Sequence, residues 1–320
     1  MIYIKRIFTF IMFALGLVGL LIGASYIFLP KSNNKDSGME EFKANGILGE
    51  KENSIDVIFI GDSETYSAFI PLQLWQDKGY TSYNCGTSGQ TLDYTEVMIK
   101  RIFQKQSPKV IVLETHAIYR KFTVKNVAFT KIADYFSVFR YHNRWKTMDI
   151  NEINQPVEYT FTDECKGYRF STKKNPSTKG KTYMNVTKES AVIEEINRRA
   201  VERIKKICDE NGAKLILVST PSTKCWNYKR HNGIEPLAKE LQCEFIDLNL
   251  MPKEVPIDWA NDTRDKGDHL NYFGAKKVTS FLSEYLENTA LLTDRRGNPD
   301  YENWDKALAE FNKKLSEQKI

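Results

Sequence analysis

Histidine is scarce, at four in 320 residues, and no two histidines stand at the HExxH spacing that places a pair of metal ligands on one helix face. The five cysteines, Cys85, Cys165, Cys208, Cys225 and Cys243, are scattered, odd in number and without a CxxC pair. Neither a zinc cluster nor a dense disulfide framework is indicated. At most two bridges can form, and no metal or cofactor is expected. Runs of lysine and arginine interleaved with aromatics are also missing, and 46 basic against 41 acidic residues leave a net charge of only +5. The electrostatic footprint of a nucleic-acid binder is therefore absent. No internal repeat is visible. A hydrophobic content of 41% over this length suits a folded protein with one large α/β domain or two small ones.

What the chain does have is one long apolar run. Lys5 and Arg6 precede an uncharged stretch from Ile7 to Pro30. A bilayer span takes about 20 apolar residues, whereas the apolar region of a signal peptide is roughly 7–15 long. Residues 1–30 therefore read as an uncleaved transmembrane anchor, with Gly23-Ala24-Ser25 leaving a cleaved signal as the alternative. The leading positive charges put the N-terminus in the cytoplasm and the bulk of the chain outside the cell membrane. Lys31 and Lys35 oppose that orientation. Residues 31–53 are polar, show little periodicity and read as a linker.

From Ser54 onward, strand-like and helix-like segments alternate. Strands are expected at Ile55–Ile60, Tyr80–Asn84, Lys109–Leu113, Lys214–Val218 and Glu244–Leu248. Helices are expected at Pro71–Lys78, Thr91–Gln106, Glu189–Asn211, Ile234–Leu241 and Gly274–Glu287. Apolar runs of about five residues separated by helices predict a five-stranded parallel sheet buried on both faces, a three-layer α/β/α sandwich. The expected domain is 54–292, with an insertion rich in aromatic and basic residues at about 116–188. Residues 293–320 read as a C-terminal extension that packs back on it.

Gly61-Asp62-Ser63 sits where the first apolar strand ends, and a parallel sheet gathers such loops into a binding crevice at the carboxyl edge of its strands. Cys85-Gly86-Thr87-Ser88-Gly89 and Glu114-Thr115-His116 fall on the same edge. Far downstream, Asp265-Lys-Gly-Asp-His269 is the one place where a histidine is crowded by carboxylates. A serine early and a histidine late suggest an esterase or acyl-transfer site, because the serine needs a base and the base needs an orienting carboxylate.

On these segments the chain resembles the SGNH/GDSL hydrolase superfamily, over roughly residues 54–288, and that family's fold is flavodoxin-like. Its Arg140-Tyr-His-Asn-Arg-Trp145 segment and apolar N-terminus also look like the envelope-associated DltD, AlgJ and AlgX kind. The resemblance implies Ser63 as nucleophile, His269 as general base, and the backbone N–H groups of Ser63 and Gly86 as oxyanion donors. For the carboxylate, Asp265 is preferred because flexible Gly267 can absorb an extra residue in the turn; adjacent Asp268 is the alternative. The family's third-block asparagine has no match, since Glu114-Thr115-His116 stands there. His116 is then either a substrate or oxyanion donor or a hydrogen-bonded structural residue, and His142 and His231 read as structural. The implied activity is that of a membrane-anchored serine esterase or O-acyltransferase acting on an acylated envelope glycan or other ester, with a membrane-bound O-acyltransferase as partner. A catalytically silent scaffold or glycan-binding subunit is the competing expectation.

Overall fold

The computed structural model describes residues 2–289 and 292–318. Five strands, β1 (Val57–Ile60), β2 (Ser82–Asn84), β3 (Val110–Glu114), β4 (Lys214–Ser219) and β5 (Glu244–Asp247), form one sheet in the order β2-β1-β3-β4-β5. Every pairing is parallel. The helices are α1 (Ile2–Phe28), α2 (Phe42–Asn45), α3 (Ser63–Ala68), α4 (Pro71–Lys78), α5 (Leu92–Phe103), α6 (Val124–Tyr135), α7 (Val138–Tyr141), α8 (Glu195–Glu210), α9 (Tyr228–Glu240), α10 (Tyr272–Thr289) and α11 (Glu302–Glu317).

The strand sequences are almost wholly apolar because side chains alternate between two covered faces. Ile58, Ile60, Ile111, Leu113, Leu215 and Leu217 pack on one side with residues of α5, α8 and α9. Val57, Phe59, Val110, Val112, Ile216 and Val218 pack on the other with residues of α3, α4 and α10. Burying each such side chain contributes about 1.5–3 kcal/mol, so the three-layer α/β/α sandwich follows from the pattern.

Several boundaries differ from the sequence reading. Helix α8 starts at Glu195 rather than Glu189. Helix α9 starts earlier, at Tyr228, because the Asn227 side chain accepts from Arg230 N and caps a polar first turn. Strand β2 keeps only Ser82–Asn84 of the expected five residues.

The polar segment 31–53 is not a free linker. Asn33 donates to Asn45 O and Phe161 O at 3.0 and 2.7 Å and accepts from Phe161 N at 2.9 Å. Ala44 and Ile47 join the core, and Glu50 makes a buried 2.8 Å ion pair with Lys166. Its polar side chains pair with backbone groups of Phe161 and with the side chains of Thr162, Lys166 and Arg169 in the 116–188 stretch, so polarity here reflects partners rather than solvent. In the C-terminal segment, Trp304 packs on Trp75 with ring centroids 5.5 Å apart, and Trp75 Nε1 donates to Asp305 at 2.9 Å.

At the end of β5, Asp247 accepts from Trp226 Nε1 at 3.0 Å and lies 2.9 Å from His231 Nδ1. The Asp247 hydrogen bond raises the His231 pKa against the opposing effect of burial. The fold thus favours the protonated ring. Its contribution to stability is complete below the unfolded value of about 6.5 and is lost as pH rises through the higher folded value. The expected result is that His231→Gln lowers Tm more at about pH 5 than at about pH 9, which a pair of thermal melts checks.

Candidate active site

Loops leaving the carboxyl ends of β1, β2, β3 and β4 meet on one edge of the sheet, and the loop before α10 folds onto them. After β1, the Asp62 side chain accepts from Glu64 N at 3.0 Å and starts the short helix α3, with buried Ser63 as its first residue. The β2 loop lies alongside: Cys85 N donates to Phe59 O at 2.7 Å and Thr87 N to Gly61 O at 3.2 Å. Gly86 allows this approach, since a Cβ there would come within 2.7 Å of Thr65 Cβ and 3.0 Å of Asp62 O.

The loop 263–271 is tied from two sides. Ser222, after β4, donates to Asp268 O at 2.7 Å, and Thr223 N donates to Gly267 O at 2.8 Å. Arg264 Nη2 donates to Ser67 Oγ at 2.6 Å, one turn along the helix that Ser63 begins. Lys266 and Gly267 both have positive φ, 58° and 83°. Two successive left-handed residues curl the chain so that Asp265, four residues ahead, reaches the ring: Asp265 Oδ2 lies 2.8 Å from His269 Nδ1, whereas Asp268 Oδ2 is 3.9 Å away. Asp268 points its other oxygen at Cys225 Sγ, 3.0 Å away.

The structure therefore brings Asp265 and His269 together. Among the described residues, Ser63 Oγ makes no hydrogen bond to His269 Nε2 or to any other protein atom. Catalytic hydrogen bonds are often long before substrate binds and tighten in the productive complex. The Gly86 N–H, the second expected oxyanion donor, is turned inward and donates to Asn84 Oδ1 at 3.1 Å. That leaves the Ser63 N–H as the unspent backbone donor of the two. His116 rests on Asp62, with Nδ1 2.7 Å from Asp62 Oδ2 but at an angle outside a regular hydrogen bond.

Behind Ser63 lies a charged cluster that no local motif announced. Asp62 is fully buried and accepts from Arg120 Nε at 2.6 Å. Burial pushes its carboxyl up, but His116, Arg120 and the Glu64 N–H outweigh it and hold the pKa below the usual value. Glu114, at the end of β3, accepts from Thr220 and from His116 N. Burial, then the charge on Asp62, raises it well above the usual carboxylate range. Glu64 is raised likewise by burial, followed by Asp62, Glu114 and Asp268, and both of its oxygens lack hydrogen-bond partners. The only signal in the sequence was positional: acidic residues right after β1 and at the end of β3.

No family model matches the chain, and no curated protein matches it significantly. Among solved structures it is similar to a putative acylhydrolase from Bacteroides fragilis, at 12% identity over 79% of this chain and 97% of that one, with a TM-score of 0.40. A GDSL-like lipase from Bacteroides thetaiotaomicron is similar at 13% identity, 78% and 97% coverage, and a TM-score of 0.39. An acetyl xylan esterase is similar at 14% identity, 72% and 100% coverage, and a TM-score of 0.39. With TM-scores below 0.5 these likenesses are loose, and the functional reading rests on the geometry of the loops.

Proposed function

We propose that the chain is a membrane-anchored serine esterase or O-acyltransferase of the SGNH type that handles a short O-acyl group, such as acetyl, on a cell-envelope polysaccharide. The observation that carries this reading is the 2.8 Å Asp265–His269 pair on a loop bonded to the helix that Ser63 begins. Ser63 Oγ attacks the ester carbonyl while His269 Nε2 takes its proton. Asp265 holds the imidazole with Nδ1 protonated, and the Ser63 N–H faces the developing oxyanion. The proton passes to the leaving alkoxide, giving an acyl-serine. Water or a sugar hydroxyl, deprotonated by His269, then takes the acyl group and restores Ser63.

A cleft of about 460 Å³ opens at Thr87–Thr91, on the loop that carries Gly86 but without Ser63 or His269 in its lining, and is also lined by Glu40, Glu41, Tyr94, Arg140 and His142. Hydroxyl, amide and aromatic groups of this kind suit a glycan. In this reading residues 54–292 are the catalytic unit, and the 116–188 insertion supplies the far wall of the cleft.

The anchor is the 27-residue helix α1, long and apolar enough to cross a bilayer. Its C-terminal end is held by Ser137 Oγ, which donates to Ser25 O at 2.9 Å, and by Arg144 Nη1, which donates to Phe28 O at 2.7 Å. Phe129, Ile132, Tyr135 and Trp145 are exposed on the same insertion, as suits side chains at a membrane interface. This supports a catalytic domain seated close to the membrane that carries it.

The inward-turned Gly86 N–H favours a second reading, a silent scaffold or glycan-binding subunit of an envelope O-acylation system working with a membrane-bound O-acyltransferase. Incubating the full chain in detergent with p-nitrophenyl acetate separates the two. Release of nitrophenol with an initial burst is expected for the enzyme, and a rate equal to buffer supports the scaffold.

A further inference from the structure

Glu64, His116 and Cys225 come from three different connections, after β1, β3 and β4, and their potential donor atoms all lie within 4.8 Å of one another. Glu64 is 1% exposed, and its carboxylate oxygens make no hydrogen bond of regular geometry, with the Cys225 thiol close beside them. A carboxyl left buried without partners pays its full desolvation penalty, which a bound cation would offset. Around it sit the carboxyls of Asp62 and Glu114, equally buried, and Asp268 beyond Cys225. Against these four carboxyls stand two cations, Arg120 bonded to Asp62 and Lys224 4.0 Å from Asp268. The pocket is short of positive charge, and its unpartnered oxygens point toward an imidazole and a thiol.

We propose that Glu64, a ring nitrogen of His116 and the Cys225 thiolate bind a zinc-class divalent cation beside Ser63. One carboxylate, one imidazole and one thiolate are the donor types zinc takes, and three protein ligands with one open position is the pattern of sites that also hold a water or substrate. Metal–ligand bonds of about 2.0–2.3 Å place donors about 3.5 Å apart in a tetrahedron. Cys225 and His116 are both partly exposed and can close that gap by side-chain rotation. On binding, the thiol proton now shared with Asp268 and any proton carried by the Glu64 carboxyl are released to solvent, and the dication offsets the carboxylates thus left ionised. Because each ligand follows a different strand, spacing motifs such as HExxH and CxxC give no hint of the site.

The test is a cobalt titration of the full chain after chelator treatment. The expected result is a thiolate-to-cobalt charge-transfer band with tetrahedral visible bands, saturating at one cobalt per chain and bleached by zinc. Cys225→Ser removes the charge-transfer band, and Glu64→Gln lowers cobalt affinity by at least the 10–100-fold, roughly, that loss of an outer-sphere partner costs. Should either variant fail to fold, the wild type suffices: zinc slows alkylation of Cys225 but not of Cys243, as mapped by mass spectrometry. Absence of the band, or equal alkylation of Cys225 with and without zinc, overturns the proposal in favour of a cluster neutralised by protons. Since these measurements need no substrate, they stand or fall apart from the acylation of Ser63.

Discussion

Replacing Ser63 by alanine lowers kcat on p-nitrophenyl acetate by about 10⁴-fold or more, the scale on which a serine hydrolase loses activity with its nucleophile. The argument is local. Ser63 is the first residue of α3, held at the carboxyl edge of the sheet by the Asp62 cap. Among the described residues its hydroxyl makes no hydrogen bond, so the substitution removes a reacting group and no polar contact. Stability should therefore change by no more than about 1 kcal/mol, and the two proteins should melt within a few degrees of each other. Loss of activity with a melt in that range assigns the effect to chemistry. Retention of more than a tenth of the activity contradicts a nucleophilic Ser63.

Asp265→Ala lowers kcat by about 10⁴-fold, comparable to losing the orienting carboxylate of a serine triad, while Asp268→Ala stays within about tenfold of the parent. Both carboxylates flank His269, and distance separates their roles. Asp265 Oδ2 is 2.8 Å from Nδ1 and Asp268 Oδ2 is 3.9 Å from it. Asp268 also has another engagement, through the 3.0 Å contact with Cys225 Sγ. Without Asp265, nothing fixes the proton on Nδ1, so Nε2 ceases to be reliably basic toward Ser63. Steady-state kinetics of the two variants decide the matter, and a large loss in Asp268→Ala alone reverses the assignment.

The sheet was legible because burial on both faces forces strands such as Val57–Ile60 and Val110–Glu114 to be apolar at every position or nearly so. Helix ends were less legible. The start of α9 depends on a side chain, Asn227, that bonds locally, and the start of α8 at Glu195 lies six residues inside the periodic stretch. Segment 31–53 misled because Asn33 and Glu50 are polar for the sake of buried partners, Phe161 and Lys166, more than 100 residues away in sequence. No window of sequence contains that information. In the candidate site, Ser63, Asp265 and His269 stood out by their neighbours in the chain, and the tie between Asp265 and His269 lies within one short turn. Glu64, Glu114, Arg120 and Cys225 meet only through the parallel order of the strands, and the spent N–H of Gly86 is a matter of peptide orientation that residue identity does not encode.

The central claim is that Ser63 is a nucleophile activated by His269. Reaction of the full, folded chain with a serine-directed fluorophosphonate, followed by peptide mapping, tests it most directly. Attack by Ser63 Oγ expels fluoride and leaves one phosphonyl group on the peptide containing Gly61-Asp62-Ser63, and His269→Ala abolishes the adduct. A chain that melts as a folded protein yet carries no adduct on Ser63 contradicts the account.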